Sequence, residues 1–180
     1  PNGLGYARIP GIYEERQIAG WRKVTEAVHE KGSKIFLQLM HTGRISHLLN
    51  MPEGARVIAP SAVPAGGEIW TDQKQMQPHS TPEAMTSEDI KAAIQEFVTA
   101  ARNAVEAGFD GVEIHGANGY LIEQFLHPDV NKRTDEYGGN FENRSKFLLQ
   151  IVSRVADAIG KDKTGVRLSP HGVAGDLSPY

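Results

Sequence analysis

Phe109-Asp110-Gly111-Val112-Glu113-Ile114-His115-Gly116-Ala117-Asn118-Gly119-Tyr120 is the stretch on which the reading of this chain turns. It reads as a short strand running into a glycine-rich loop. Val112 and Ile114 alternate with Glu113 and His115, so one face of the strand is apolar and the other polar. A central strand of an open doubly wound sheet is covered on both faces and reads as a nearly continuous apolar run. A barrel strand buries one face under helices and turns the other inward, where polar groups near its C-terminal end can form a site.

The same alternation recurs on either side. Val166 and Leu168 alternate with Arg167 and Ser169, and Phe36 and Gln38 alternate with Ile35, Leu37 and Leu39. Each strand follows a helical pattern closed by glycine. Ile18, Trp21, Val24 and Val28 give a stripe over Glu14 to Lys31, ending at Gly32. Ile90, Ile94, Phe97, Ala101 and Val105 give a second, opened by the capping pattern Thr86-Ser87-Glu88-Asp89 and ended by Gly108. Phe147, Ile151, Val155 and Ile159 give a third over Glu142 to Ile159, ended by Gly160. Three helix–strand units predict an α/β fold with parallel strands, and the alternation favours a (β/α)8 barrel. A complete barrel takes roughly 250 residues. The 180 residues are therefore expected to be one partial-barrel domain, residues 1–180.

Thr42 to Thr86 is long, irregular and proline-rich, and a connection of this length is expected to carry function or local structure. A hairpin around Val57 to Trp70 is the expectation there. Asn131 to Gly139 reads as a solvated loop capping the third helix.

Composition narrows the function classes. A net charge of -3 gives no reason to expect nucleic acid or an anionic membrane as partner. There are no cysteines, so thiol catalysis and Cys-ligated metals are excluded within these residues. No apolar run approaches the roughly 20 residues that span a bilayer. A cytoplasmic protein is the default expectation.

His115 and Asn118 can both donate hydrogen bonds to a carbonyl oxygen and stabilise charge growing there. Tyr120 is a candidate proton donor beside them. The competing reading has His115 closing the barrel interior, Asn118 making a turn and Tyr120 packing. Gln38 suits the edge of a flavin or nucleobase ring, or is satisfied internally. Arg167 suits an anionic ring edge, or pairs with Glu113 inside the barrel. His41 and His47 with His115 raise a metal site, but no carboxylate completes a first shell at convincing spacing. No GxGxxG or P-loop is present.

Several stretches together resemble the Old Yellow Enzyme family of FMN-dependent ene-reductases. They are Gly-Leu-Gly-Tyr-Ala-Arg (3–8), Phe-Leu-Gln-Leu (36–39), His-Thr-Gly-Arg (41–44) and Ala-Pro-Ser-Ala (59–62). The series continues with residues 108–121, Arg-Thr-Asp-Glu-Tyr-Gly-Gly (133–139), Glu-Asn-Arg (142–144) and Gly-Val-Arg-Leu-Ser-Pro (165–170). The resemblance implies an FMN-binding barrel that reduces the C=C bond of unsaturated carbonyl or nitro compounds with NADPH or NADH. By carry-over, Gln38 and Arg167 contact the flavin, His115 and Asn118 bind the substrate oxygen, and Tyr120 protonates the α-carbon. Met40 stands where the family often has Trp, which bears on the width of the pocket. The resemblance also implies a central fragment, with barrel segments and the phosphate site outside it, and a parent protein that is a monomer or homodimer. The alternative is a non-catalytic barrel fragment, inactive without its complement.

Overall fold

The computed structural model describes residues 1–178. Its elements in order are α1 (Glu15–His29), β1 (Phe36–Leu39), β2 (Ile58–Ala59), β3 (Glu68–Thr71), β4 (Gln75–Pro78) and β5 (Glu83–Ala84). They continue with α2 (Ser87–Glu106), β6 (Gly111–Gly116), α3 (Leu121–Leu126), α4 (Phe141–Ile159) and β7 (Thr164–Leu168). β1, β6 and β7 form one parallel sheet in that order. The three expected helix–strand units are therefore present, and their strands are neighbours. No helix among the described residues is long and apolar enough to cross a membrane.

Helix α2 starts where the sequence signals it, with Thr86 and Asp89 exchanging the reciprocal hydrogen bonds of a capping box. Its buried face runs from Ile90 through Ile94 and Phe97 to Ala101 and Ala104. α4 is capped by Asn140, whose side chain accepts from Asn143 N–H at 2.9 Å, and it buries Phe147, Ile151 and Val155. These faces join Val112 and Ile114 of β6 in one core. Burying each such aliphatic side chain contributes roughly 1.5–3 kcal/mol. The other face of the sheet is open, with Phe36 51% exposed.

Four expectations need correction. In α1 the buried face includes Thr25 rather than Val24, which is 41% exposed. Thr25 Oγ1 donates to the carbonyl of Ala107 at 2.6 Å, and this bond orients the helix more than a count of apolar residues suggests. The hairpin lies later than expected, between β3 and β4. Its turn is closed by Thr71, whose Oγ1 accepts from Lys74 N–H and donates to Gln75 O, a signal carried by one hydroxyl rather than by Gly or Pro. Ile58–Ala59 instead pairs in parallel with Glu83–Ala84.

Residues 131–139 form the expected loop, with Lys132, Thr134, Asp135, Glu136 and Gly139 exposed, but the loop is anchored rather than solvated throughout. Asn131 is buried and its amide donates to the carbonyls of Phe125 and Tyr137, both at 2.7 Å. Arg133 reaches back to Pro60 O and Met85 O, so the segment ties the long connection to the core. Finally, Glu113 and Arg167 form no ion pair. The register sets Arg167 opposite His115, and Glu113 accepts from Gln38 Nε2 at 2.6 Å.

Candidate active site

β6 delivers its polar residues at the C-terminal end of the sheet, beyond the buried Ile114. Past Gly116 the chain must turn sharply before α3. Asn118 at φ 56° and Gly119 at φ 80° make that turn in the left-handed region. Asn tolerates this conformation better than most residues, because its short amide can bond locally. Position 119 admits only glycine, since a Cβ there would sit 2.6 Å from Ala174 O. The chain then enters α3 with Tyr120 as N-cap. α3 is anchored by Leu121 N–H, which donates to His41 O at 3.0 Å, and all six of its residues are buried.

The loop brings two of the three expected residues, His115 and Tyr120, into ring contact and carries Asn118 between them in the chain. His115 is 3% exposed, and its ring lies 5.3 Å from that of Tyr120. Neither ring nitrogen of His115 has a hydrogen-bond partner. Leaving a buried polar group unpaired costs on the order of 1–3 kcal/mol, so a site that keeps two such atoms is suited to a ligand. Burial lowers the His115 pKa, and the nearby Arg167 charge lowers it further, against a smaller opposing effect of Glu113. The ring is thus neutral at neutral pH, with one nitrogen donating and one accepting. The side-chain amide of Asn118 bonds to no described residue, while its backbone N–H donates to Ser169 Oγ at 2.9 Å.

Tyr120 has a partner that the sequence did not reveal. Its hydroxyl lies 2.9 Å from the hydroxyl of Tyr6, and the two rings meet edge to face at 6.2 Å. Burial raises the Tyr6 pKa, and the bond to Tyr120 raises it further. Tyr6 stands in the quoted Gly-Leu-Gly-Tyr stretch, but no periodicity connects it to a residue 114 positions away.

Gln38 and Arg167 lie on the open sheet face. Gln38 is in register with Glu113, and Arg167 is in register with His115. Both are exposed, and the carbonyl of Gln38 and the guanidinium of Arg167 bond to no described residue. An acceptor, a forked cation and a neutral imidazole on one face suit the mixed donor–acceptor edge of a flavin ring. His41 and His47 do not join them. His41 is buried, accepts from Gly43 N–H at 3.1 Å, and burial pushes its pKa down to about 3. His47 instead caps the short helical turn at Leu48–Asn50. Among the described residues, no group of three or more His, Cys, Asp or Glu could hold a metal ion.

The sequence model of the NADH:flavin oxidoreductase / NADH oxidase family matches residues 1–178. A Leishmania infantum protein described as "Probable flavin mononucleotide-dependent alkene reductase" is 48% identical over 169 residues, which is 92% of this chain and 46% of that protein. An Epichloe festucae var. lolii protein described as "Probable inactive reductase easA" is 49% identical over 168 residues, 92% of this chain and 41% of that one. The solved structure of morphinone reductase superposes with a TM-score of 0.94 at 42% identity, covering 100% of this chain and 50% of that chain. The chain thus spans about half the length of the relatives it matches, and its sheet and helices correspond to part of an Old Yellow Enzyme barrel.

Proposed function

This chain belongs to the NADH:flavin oxidoreductase / NADH oxidase family, and from that premise we propose that it binds and protonates the substrate in an FMN-dependent ene-reductase. When bound, FMN reduced by NADPH or NADH would supply the hydride for the β-carbon of an α,β-unsaturated carbonyl or nitro compound. Gln38 and Arg167 would hold the flavin ring from the open sheet face.

The remaining work falls to the β6–α3 loop. His115 and the Asn118 amide donate hydrogen bonds to the substrate oxygen and draw electron density from the double bond. As the β-carbon becomes saturated, negative charge collects on that oxygen, where the same two donors stabilise it. Each such donor is worth roughly 10²- to 10³-fold in rate. Tyr120 delivers its phenolic proton to the α-carbon, a general-acid step worth about 10²- to 10⁴-fold. Tyr6 holds the Tyr120 oxygen in place through the 2.9 Å contact.

The observation that carries this reading is the buried His115, whose two ring nitrogens have no partner and whose ring lies against that of Tyr120. The test is anaerobic turnover of 2-cyclohexenone by the FMN-loaded protein. We expect Tyr120→Phe to lose about 10²- to 10⁴-fold in kcat while still binding the enone. A Tyr120→Phe protein as active as wild type would sink the proton-donor role. Failure of wild type to reduce any enone or nitroalkene would sink the proposal itself.

A second reading, a barrel piece that is inactive until complemented, is favoured by one observation. Val166 and Leu168 of β7 are 39% and 52% exposed, so the strand's apolar side chains are left uncovered by the described residues. Tight stoichiometric FMN binding by the 180 residues alone would exclude that reading.

A further inference from the structure

The loop that carries Asn118 and Tyr120 is tied to the next strand by a chain of polar bonds. Asn118 N–H donates to Ser169 Oγ at 2.9 Å. Ser169 Oγ–H donates to Glu123 Oε1 at 2.8 Å, and Gly119 N–H donates to Glu123 Oε2 at 2.5 Å. Glu123 is 2% exposed, on a six-residue helix with no solvent-facing side. The direction of each bond follows from the atoms. A backbone N–H can only donate, so Ser169 Oγ accepts from Asn118 and must send its single proton elsewhere. It sends it to the carboxylate, which is acceptor-only when ionised and receives Gly119 N–H at its other oxygen.

We infer that Ser169 and Glu123 are positioning residues for the substrate clamp, holding the loop in the one conformation that aims the Asn118 amide and Tyr120 hydroxyl at the same substrate. This rests on the ene-reductase reading of the site. Asn118 and Gly119 are both left-handed, a pair of conformations that a loop without side-chain ties would leave readily. Ser169 also lies two residues past Arg167, so the chain of bonds fixes the clamp relative to the strand that faces the proposed flavin. The carboxylate is essential to the scheme. Glutamine at 123 offers one acceptor atom in place of two, so either Gly119 N–H or Ser169 O–H loses its partner although volume and shape are kept. A purely space-filling role for Glu123 predicts no effect of that change.

The test uses the FMN-loaded protein and the variants Glu123→Gln, Ser169→Ala and Ser169→Thr. Three quantities are read: the Kd of cyclohexanone, an unreactive ketone, from the flavin absorption spectrum; kcat and KM for 2-cyclohexenone; and hydrogen exchange of the Asn118 and Gly119 amides. Glu123→Gln and Ser169→Ala are expected to raise ketone Kd and enone KM roughly fivefold to tenfold, with kcat changed less and FMN content unchanged. Amides 118 and 119 exchange faster in both, and Ser169→Thr, which keeps the hydroxyl, restores ketone binding. Should Glu123→Gln fail to fold, Ser169→Ala carries the same test, since it leaves the carboxylate in place. Wild-type ketone binding and wild-type amide exchange in the variants, with normal enone turnover, would overturn the positioning role and leave the ene-reductase reading standing. A wild-type protein that binds no ketone and reduces no enone overturns both.

Discussion

Around the β6–α3 loop every residue from Leu121 to Leu126 is buried, whereas on the adjoining sheet face Phe36 is 51% exposed and Gln38 and Arg167 lie open. The two regions share β6 and differ in how their polar groups are satisfied. The loop region is closed on itself. Gln124 donates to Thr42 O and Gly119 O and accepts from Arg44 N–H. Among its described residues His41 Nε2 and Arg44 Nε also lack a partner, but His115, 3% exposed, lacks one at both ring nitrogens. On the sheet face Gln38 Nε2 bonds to Glu113, while the Gln38 carbonyl and the Arg167 guanidinium are exposed and bond to no described residue. A buried ring with both nitrogens unpaired is suited to a ligand, whereas an unpaired polar atom on an open face has solvent for a partner.

This contrast can be broken by experiment, most strongly at the core beneath the loop. Phe147 is fully buried and stacks on Phe125 with ring centroids 4.2 Å apart. Phe147→Ala should destabilise by about 3–5 kcal/mol, and Phe36→Ala, on the open face, by less than about 1 kcal/mol. Urea unfolding of both variants measures the difference. Equal losses would mean that the sheet face is as well packed as the core, and the contrast would fail.

A smaller effect is expected from pH. The folded pKa of His41, about 3, lies below the ordinary 6.5. Between those values the unfolded chain therefore binds a proton that the native chain does not. Stability is full above about pH 6.5 and falls as pH drops toward 3, by at most about 1.4 kcal/mol per pH unit for this residue. Burial lowers the pKa of His79 and His115 in the same direction, so His41→Leu should reduce the slope rather than abolish it. Unfolding midpoints measured from pH 7.5 to pH 4.5 test this, and an unchanged slope would contradict it. The smallest effect concerns the tyrosine pair. Tyr6→Phe removes a single hydrogen bond and should lower turnover about twofold to tenfold, leaving ketone binding intact. Stopped-flow measurement of enone reduction would show whether the loss exceeds that range.

Much of this architecture was legible in the sequence where a local rule coincided with the tertiary one. Thr86 and Asp89 announced the start of α2 and Gly160 the end of α4, because capping is settled within one turn of chain. The alternation through Val112, Glu113, Ile114 and His115 showed one buried face and one polar face, since a strand has only two. Illegible were Thr25, Thr71 and Asn131, where the hydrogen bonds of one side chain outweigh the pattern around it. α3 was also missed, because six residues are too few for a helical period to show.

By itself the sequence determined the order of helices and strands, the polar cluster His115, Asn118 and Tyr120, and the family to which the chain belongs. Each is written in neighbouring residues, or in motifs whose spacing the backbone fixes. Only the tertiary structure decided which distant groups meet that cluster. Tyr6 reaches Tyr120 across 114 positions, and Ser169 joins Glu123 across 46. It also paired Glu113 with Gln38 instead of Arg167. Parallel register sets the last of these, as a property of strands packed together that no one of them carries alone, while the first two depend on how loops and a short helix pack at the end of the sheet.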